Sequence, residues 1–164
     1  GAFRSRAATL GFADATEHVQ VIETTVSGMD MTRTGARVGR SLVADDERPG
    51  APRVAVIGHA LWQAAFGGAA DVVGRTVRLD GEPHTVVGIM PPRYTLCGGN
   101  VWVPLRVPPE SVASGPREYF IMAFMRPGAE LEQVRARMQE HFDRVAPTLP
   151  PDAGEYRGRR AVPA

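Results

Sequence analysis

Residues 76–89 read Thr-Val-Arg-Leu-Asp-Gly-Glu-Pro-His-Thr-Val-Val-Gly-Ile, two β-rich runs set about an Asp80-Gly81 pair. An Asp-Gly pair tolerates the positive backbone angles that a tight hairpin turn demands, and Val77 and Leu79 alternate with Arg78 and Asp80 as a half-buried strand requires. A hairpin with one apolar face cannot stand alone in water, so it commits the chain to a larger sheet closed over a core. With 164 residues the chain is long enough to supply that core, since a globular chain of this size buries roughly 70% of the surface exposed when unfolded. A disulfide-stapled miniprotein is excluded, because Cys97 is the single cysteine.

Further elements follow from the same kind of pattern. Between residues 7 and 27 two period-two stretches predict strands, with Leu10 and Phe12 in the first and Val19 and Val21 in the second. One helical turn is expected near residues 29–35. The run Arg53-Val54-Ala55-Val56-Ile57-Gly58 predicts a buried strand and residues 59–66 a short helix, which Gly67-Gly68 stops because glycine accepts the left-handed conformation past a helix end. Pro91-Pro92 breaks the second hairpin strand. Residues 101–105 predict a short strand placed at a sheet edge by Pro104, and residues 119–125 a central strand apolar on both faces. From residue 130 to 146, Leu131, Val134, Met138, Phe142 and Val145 form one stripe at helical period. Residues 108–116 read as a polar loop and 155–162 as an Arg-rich tail or strand. The order predicts an α+β fold with a mixed or antiparallel sheet and packed helices. A sub-lobe over residues 45–105 is expected to be inserted into a lobe built from residues 1–44 and 106–164.

Nineteen basic and 18 acidic residues leave a formal charge of +1, with no basic run. Such a chain offers no field to hold phosphates, which argues against nucleic acid and anionic membrane surfaces as partners. Every basic residue is Arg; together with the wealth of Ala, Gly and Pro, this points to a GC-rich genome rather than to a mechanism. No stretch approaches the roughly 18–20 apolar residues of a membrane span, and the start at Gly1-Ala2-Phe3 reads as that of an excised fragment. The four histidines, His18, His59, His84 and His141, show no metal-ligand spacing. The acidic trio Asp45-Asp46-Glu47 lacks the alternating oxygens of a calcium loop and reads as a turn. No serine lies in a nucleophile elbow. Trp62 and Trp102 sit in apolar runs that suit a core, and Cys97 is expected to be a small buried hydrophobe. The expected catalytic, cofactor and metal sets are therefore empty.

In order along the chain, Val38-Gly39-Arg40-Ser41-Leu42, Asp45 through Ile57, Leu61-Trp62, Phe66-Gly67-Gly68, Asp71 through Pro91 and Val101-Trp102-Val103-Pro104-Leu105 make a distinctive series. The series resembles the extracytoplasmic core domain of MacB-type ABC transporter permeases. That resemblance implies a porter-like lobe near a membrane, bearing the inserted lobe. It implies a cell-membrane protein whose outer domain transmits ATP-driven motion to the transport or extrusion of substrates or lipoproteins. The implied partners are a second permease subunit, an ABC ATPase subunit and an accessory or substrate protein outside the membrane, the fragment itself being monomeric. It implies no catalytic residue; Gly39, Arg40, Asp46, Gly74, Asp80, Gly81 and Gly88 carry over as turn and packing positions, and Trp62, Phe66 and Trp102 as core anchors. The alternative is a free-standing extracellular module that binds a small ligand or peptide. An enzyme built around His59 or His84 ranks third.

Overall fold

The computed structural model describes residues 1–12, 15–106, 119–145 and 147, without the side chains of Phe142 and Val145. The expected loop at 108–116 and tail at 155–162 lie outside the described residues. Eight strands and three helices occur in the order β1 (Ala2–Phe12), β2 (Ala15–Thr24), α1 (Val26–Asp30), β3 (Val38–Gly39), β4 (Val54–Ile57), α2 (His59–Phe66), β5 (Thr76–Leu79), β6 (Glu82–Ile89), β7 (Val101–Pro104), β8 (Phe120–Ile121) and α3 (Leu131–Val145). The chain divides into two compact units: Gly1–Val107 with Tyr119–Met122, and Pro108–Glu118 with Ala123–Ala164. Strands from residues 1–44 and from 45–105 share one hydrogen-bonded sheet, because β1 pairs with β5 and β2 pairs with β7.

The pairings of the first unit close on themselves. Antiparallel β1–β2 is followed by parallel β2–β7, antiparallel β7–β4, parallel β4–β6, antiparallel β6–β5 and antiparallel β5–β1, a six-stranded ring. Strands β3 and β8 attach outside it, on β6 and on the start of β1. Period-two alternation then separates two cores. Ala8, Leu10, Val19, Val21, Ala55, Ile57, Val77, Leu79, Val86, Ile89, Val101 and Val103 form the inner cluster, with Leu61 of α2 and Val72 added at one end. Ile22, Val54, Val56 and Trp102, from the opposite faces of the same strands, pack with Met29, Leu42, Met90 and Leu96 in the second. In β6 the register slips by one residue between Val86 and Gly88. This bulge turns Ile89 to the same side as Val86, which strict alternation would forbid.

Local chemistry explains the element ends. Helix α1 starts three residues earlier than expected, because the Thr25 hydroxyl caps it by accepting from the Gly28 N–H at 3.2 Å. Gly67, at φ 59°, terminates α2 in the left-handed region. Asp80 and Gly81 both have positive φ, 51° and 85°, the pattern of the hairpin turn expected there. Two expectations are corrected. Strand β7 is interior, flanked by β2 and β4. The Leu105 N–H bonds Thr24 at 2.9 Å, so Pro104 turns its nitrogen toward β4, whose pairing has already ended at Trp102. The expected central strand at 119–125 is only the two-residue β8, and Phe120 and Ile121 are 47% and 67% exposed. Its apolar composition was misleading because it pairs only at the margin of β1. In the second unit, α3 begins and ends within a residue of the expected helix, and Leu131 and Val134 of its stripe are half-buried while Met138 is 41% exposed.

The tightest approach in the first unit is between β3 and β6. A Cβ on Gly88 would lie 2.1 Å from the Arg40 carbonyl oxygen, and one on Gly39, whose φ is +71°, would lie 2.3 Å from that of Val87. Both obstacles are backbone and cannot rotate away. Gly88→Ala is expected to lower stability by about 2 kcal/mol or more, measured by chemical denaturation. Gly50→Ala, at φ +78° with nothing within 4 Å of its Cβ position, isolates the cost of positive φ and is the control for Gly39→Ala, whereas Gly88→Ala tests the steric term alone.

Candidate functional site

The inward register of β1 and β2 carries on past the apolar core into charge. Arg6 and Arg4 continue the series of Leu10 and Ala8, and Glu23 that of Val19 and Val21. Arg4 grips Glu23 through two bonds of 2.7 and 2.8 Å, and Arg6 adds a third at 3.0 Å. Arg6 also reaches Asp80. Asp80 in turn accepts from the Thr9 N–H at 2.8 Å while its own N–H bonds the Thr9 carbonyl at 2.9 Å. Arg53 pairs with Glu82 at the β4–β6 border. The barrel therefore has two unlike ends. One is plugged by Leu61, Phe12, Trp62 and Phe66. The other is a mouth of interlocked ions.

Electrostatics at the mouth follow from this packing. The Thr9 N–H holds the Asp80 carboxyl below its usual range, with Arg6 adding to the effect against a desolvation penalty. His84, half-buried beside Val77, is pushed down to about 4, first by burial and then by Arg53, Arg6 and Arg106. Its Nδ1 lies 2.9 Å from the Glu82 carbonyl oxygen, so the neutral ring donates there. A neutral imidazole tied to its own strand, among carboxylates held by guanidinium groups, forms an ion-pair framework. It is not a nucleophile–base pair.

A second tie lies beside the mouth. Arg40 forks onto Asp46 at 2.6 and 3.0 Å, the Val43 N–H adds 2.9 Å, and Arg106 bonds the Asp46 carbonyl at 2.7 and 2.9 Å. Burial raises the Asp46 carboxyl, but the Arg40 fork, the Val43 N–H and the nearby Arg40 and Arg106 charges outweigh it and leave the group below its ordinary value. Glu47 accepts from the Val26 N–H at 2.7 Å. Two of the three acidic residues that read as a solvated turn are thus internal acceptors for three separate segments.

The remaining motif positions are scattered. Trp102 is fully buried and its indole N–H bonds the Leu96 carbonyl at 3.3 Å. Trp62 and Phe66 are half-buried on α2, Trp62 donating to Ala69 at 2.8 Å and Phe66 against Phe12 with ring centres 4.6 Å apart. Gly74, at φ 93°, precedes β5. Cys97, expected to be buried, is exposed on a loop at φ 56°. His59 stands at the start of α2, edge-on to Trp62. Among the described residues no group of three or more His, Cys, Asp or Glu gathers where a metal ion could be held. The ionic mouth was missed in the sequence, although Arg4, Arg6, Ala8 and Leu10 already share one alternating face.

The sequence matches the MacB-like periplasmic core domain over residues 3–141. The chain belongs to that family. MacB-like core domains are extracellular regions of ABC-type transporter permeases, and solved structures share the fold. The periplasmic region of MacB from Actinobacillus actinomycetemcomitans superposes with a TM-score of 0.62 at 15% identity, over 88% of this chain and 66% of that one. A domain of a putative permease from Porphyromonas gingivalis gives 0.64 at 18% identity, over 87% and 62%. The extracellular domain of the ABC-type transporter YknZ from Gram-positive bacteria gives 0.54 at 19% identity, over 63% and 52%. The chain thus spans between half and two thirds of these relatives' length. No curated protein matches its sequence. Among the described residues no helix is long and apolar enough to cross a membrane.

The low value at His84 sets a pH dependence. The folded group binds its proton near 4 and the unfolded one near 6.5, so unfolding takes up a proton between them. Stability is expected to fall as pH drops from about 6.5 to about 4, by on the order of 1 kcal/mol once partial exposure is discounted. Because carboxylates titrate in the same range, the measurement is the difference between wild type and His84→Gln. The curves should diverge at high pH and converge toward pH 4; parallel curves would show that the imidazole stays fully solvated.

Proposed function

We propose that this domain is the extracytoplasmic body of an ABC permease subunit and that it carries ATP-driven motion outward as a unit. The observation that carries the reading is the seam at the start of β1. The Gly1 amine donates to the Met122 carbonyl at 2.8 Å, and the Met122 N–H donates to the Gly1 carbonyl at 2.9 Å. The start of β1 and the end of the segment Tyr119–Met122 are therefore bonded side by side. From there β1 runs 11 residues along the barrel, paired with β2 throughout, with β8 at its start and with β5 at its end. A displacement applied at this seam is shared across several strands instead of bending one loop. The source of motion would be a cytoplasmic ATPase subunit or domain acting through the membrane helices of this and a second permease subunit. The family membership supports this reading, and motion at a distance needs no catalytic group in the domain.

The reading has two tests. In the full-length protein with any other cysteines replaced, Cys97 is exposed and should react with a membrane-impermeant maleimide in intact cells. Burial raises its thiol, so labelling is best run above neutral pH. Labelling that appears only after lysis would place the domain on the wrong side. Second, a flexible six-residue Gly/Ser insertion between Met122 and Ala123 should leave ATP hydrolysis largely intact while transport falls at least tenfold, because slack absorbs the stroke. Unimpaired transport through a slack connection would sink the transmission reading.

A further inference from the structure

An open cleft of about 310 Å³, sharing no lining residue with the ionic mouth, is walled by Thr32, Thr34, Pro91, Arg93, Tyr94 and Thr95 among others. Three separate features of its walls are unexplained by folding alone. The Tyr94 hydroxyl oxygen is buried and makes no hydrogen bond. Its polar neighbour, the Thr32 hydroxyl, tempers the upward push of burial on the phenol but already donates to the Met29 carbonyl at 2.8 Å. Buried polar groups left unpaired are rare and call for a partner. Arg93 forms no ion pair among the described residues, and its guanidinium is a ready fork for a carboxylate. Finally, Arg33, Arg93 and Cys97 hold φ of 52°, 63° and 56°. Among the described residues, three of the four positive-φ residues other than glycine thus fall in the two loops that form this cleft, a cost that structure elsewhere must offset.

Charge selects the ligand. The loops 29–38 and 90–99 carry Arg33, Arg37 and Arg93 against Asp30 alone, in a chain whose overall charge is only +1. A single guanidinium among neutral hydroxyls suits a monoanionic carboxylate, whereas a phosphate dianion would want a second cation in the wall. Further arginines along the flanking loop suit further carboxylates along an extended segment. We infer that the Thr32–Tyr94 cleft docks an acidic peptide segment of a protein partner, one carboxylate held by Arg93 and the Tyr94 hydroxyl and its chain lying along Pro91-Pro92.

The probe is capped tetraglutamate, with capped tetraglutamine as neutral control, titrated into the isotope-labelled 164-residue chain by NMR. Trp102 reports locally, since its ring lies edge-on to Tyr94 with centroids 5.0 Å apart. Tetraglutamate should move the Trp102 indole N–H and the amides of residues 93–95 but not the Trp62 indole, and tetraglutamine should move none of them. Arg93→Gln should weaken binding about tenfold. Tyr94→Phe should weaken it severalfold while leaving the melting temperature unchanged or higher, because an unmade buried bond disappears. Equal binding of tetraglutamine, or undiminished binding by Arg93→Gln, would overturn the inference. So would inorganic phosphate that displaces the peptide and binds more tightly, which would make the cleft a phosphate site. Arg93 is exposed, so its variant keeps the test valid if Tyr94→Phe fails to fold.

Discussion

Closure of the barrel rests on a narrow seam, where β1 meets β5 through only Leu10–Leu79 and Gly11–Arg78. Two residue pairs are little to join the ends of a six-stranded ring. Asp80 widens the join from the turn itself: its N–H and its carboxylate clasp the Thr9 carbonyl and N–H, and Arg6 ties the same carboxylate back to β1. That clasp needs a residue that accepts positive φ and also carries an acceptor one carbon from the backbone. Asp meets both needs, whereas Gly would meet only the first. The hairpin and the closure are thus one device. With β1 fixed to β5, the inner face of every strand turns toward a common axis, and a core of short aliphatic side chains becomes sufficient.

This dependence explains what could be read from sequence and what could not. The hairpin at 76–89, the strand at 54–57 and helix α2 were legible because each is specified locally, by alternation, by an Asp-Gly turn or by a glycine stop. Strand placement was not. Pro104 argued for an edge, yet β7 lies inside the sheet because only the part of it before Pro104 is asked to donate on the β4 side. The apolar run at 119–125 argued for a central strand, yet only Phe120 and Ile121 pair, and only with Phe3 and Ala2 at the very start of β1. Neither fact is visible from the segment itself, since both depend on what its neighbours have already paired.

The motif positions divide in the same way. Gly39 and Gly88 read as packing positions, and the physical reason is that a Cβ on either would fall 2.3 or 2.1 Å from a backbone carbonyl oxygen: β3 lies against β6 with no room for a side chain on either. Asp46 read only as part of an acidic turn, and as a turn or packing position through resemblance, because an acidic turn before a proline ordinarily faces water. Its role depends on Arg40 and Arg106, the second of which is 60 residues away. The ionic mouth had a weaker signal, charges placed in register with a core face. Such a pattern is ambiguous until the strand opposite is known to present a carboxylate, as β2 does with Glu23.

The two ends of the barrel then make sense together. An apolar plug at the α2 end fixes the shape, because removing Leu61 or Phe66 from it would expose the inner cluster to water. The charged end cannot be left apolar, since it lies at the rim where β1, β4 and β6 run out toward solvent. Pairing Arg4 and Arg6 with the one buried carboxylate of Glu23 locks β1 to β2 in that region, and the attraction is largely offset by the cost of taking these charges out of water. Their value is geometric: several weak bonds from neighbouring strands resist sliding along β1, the direction in which force applied at the Gly1–Met122 seam would act. A hydrophobic rim of equal stability would resist separation of the strands but not their register, and register is what the domain would have to keep if, as proposed, motion enters through β1.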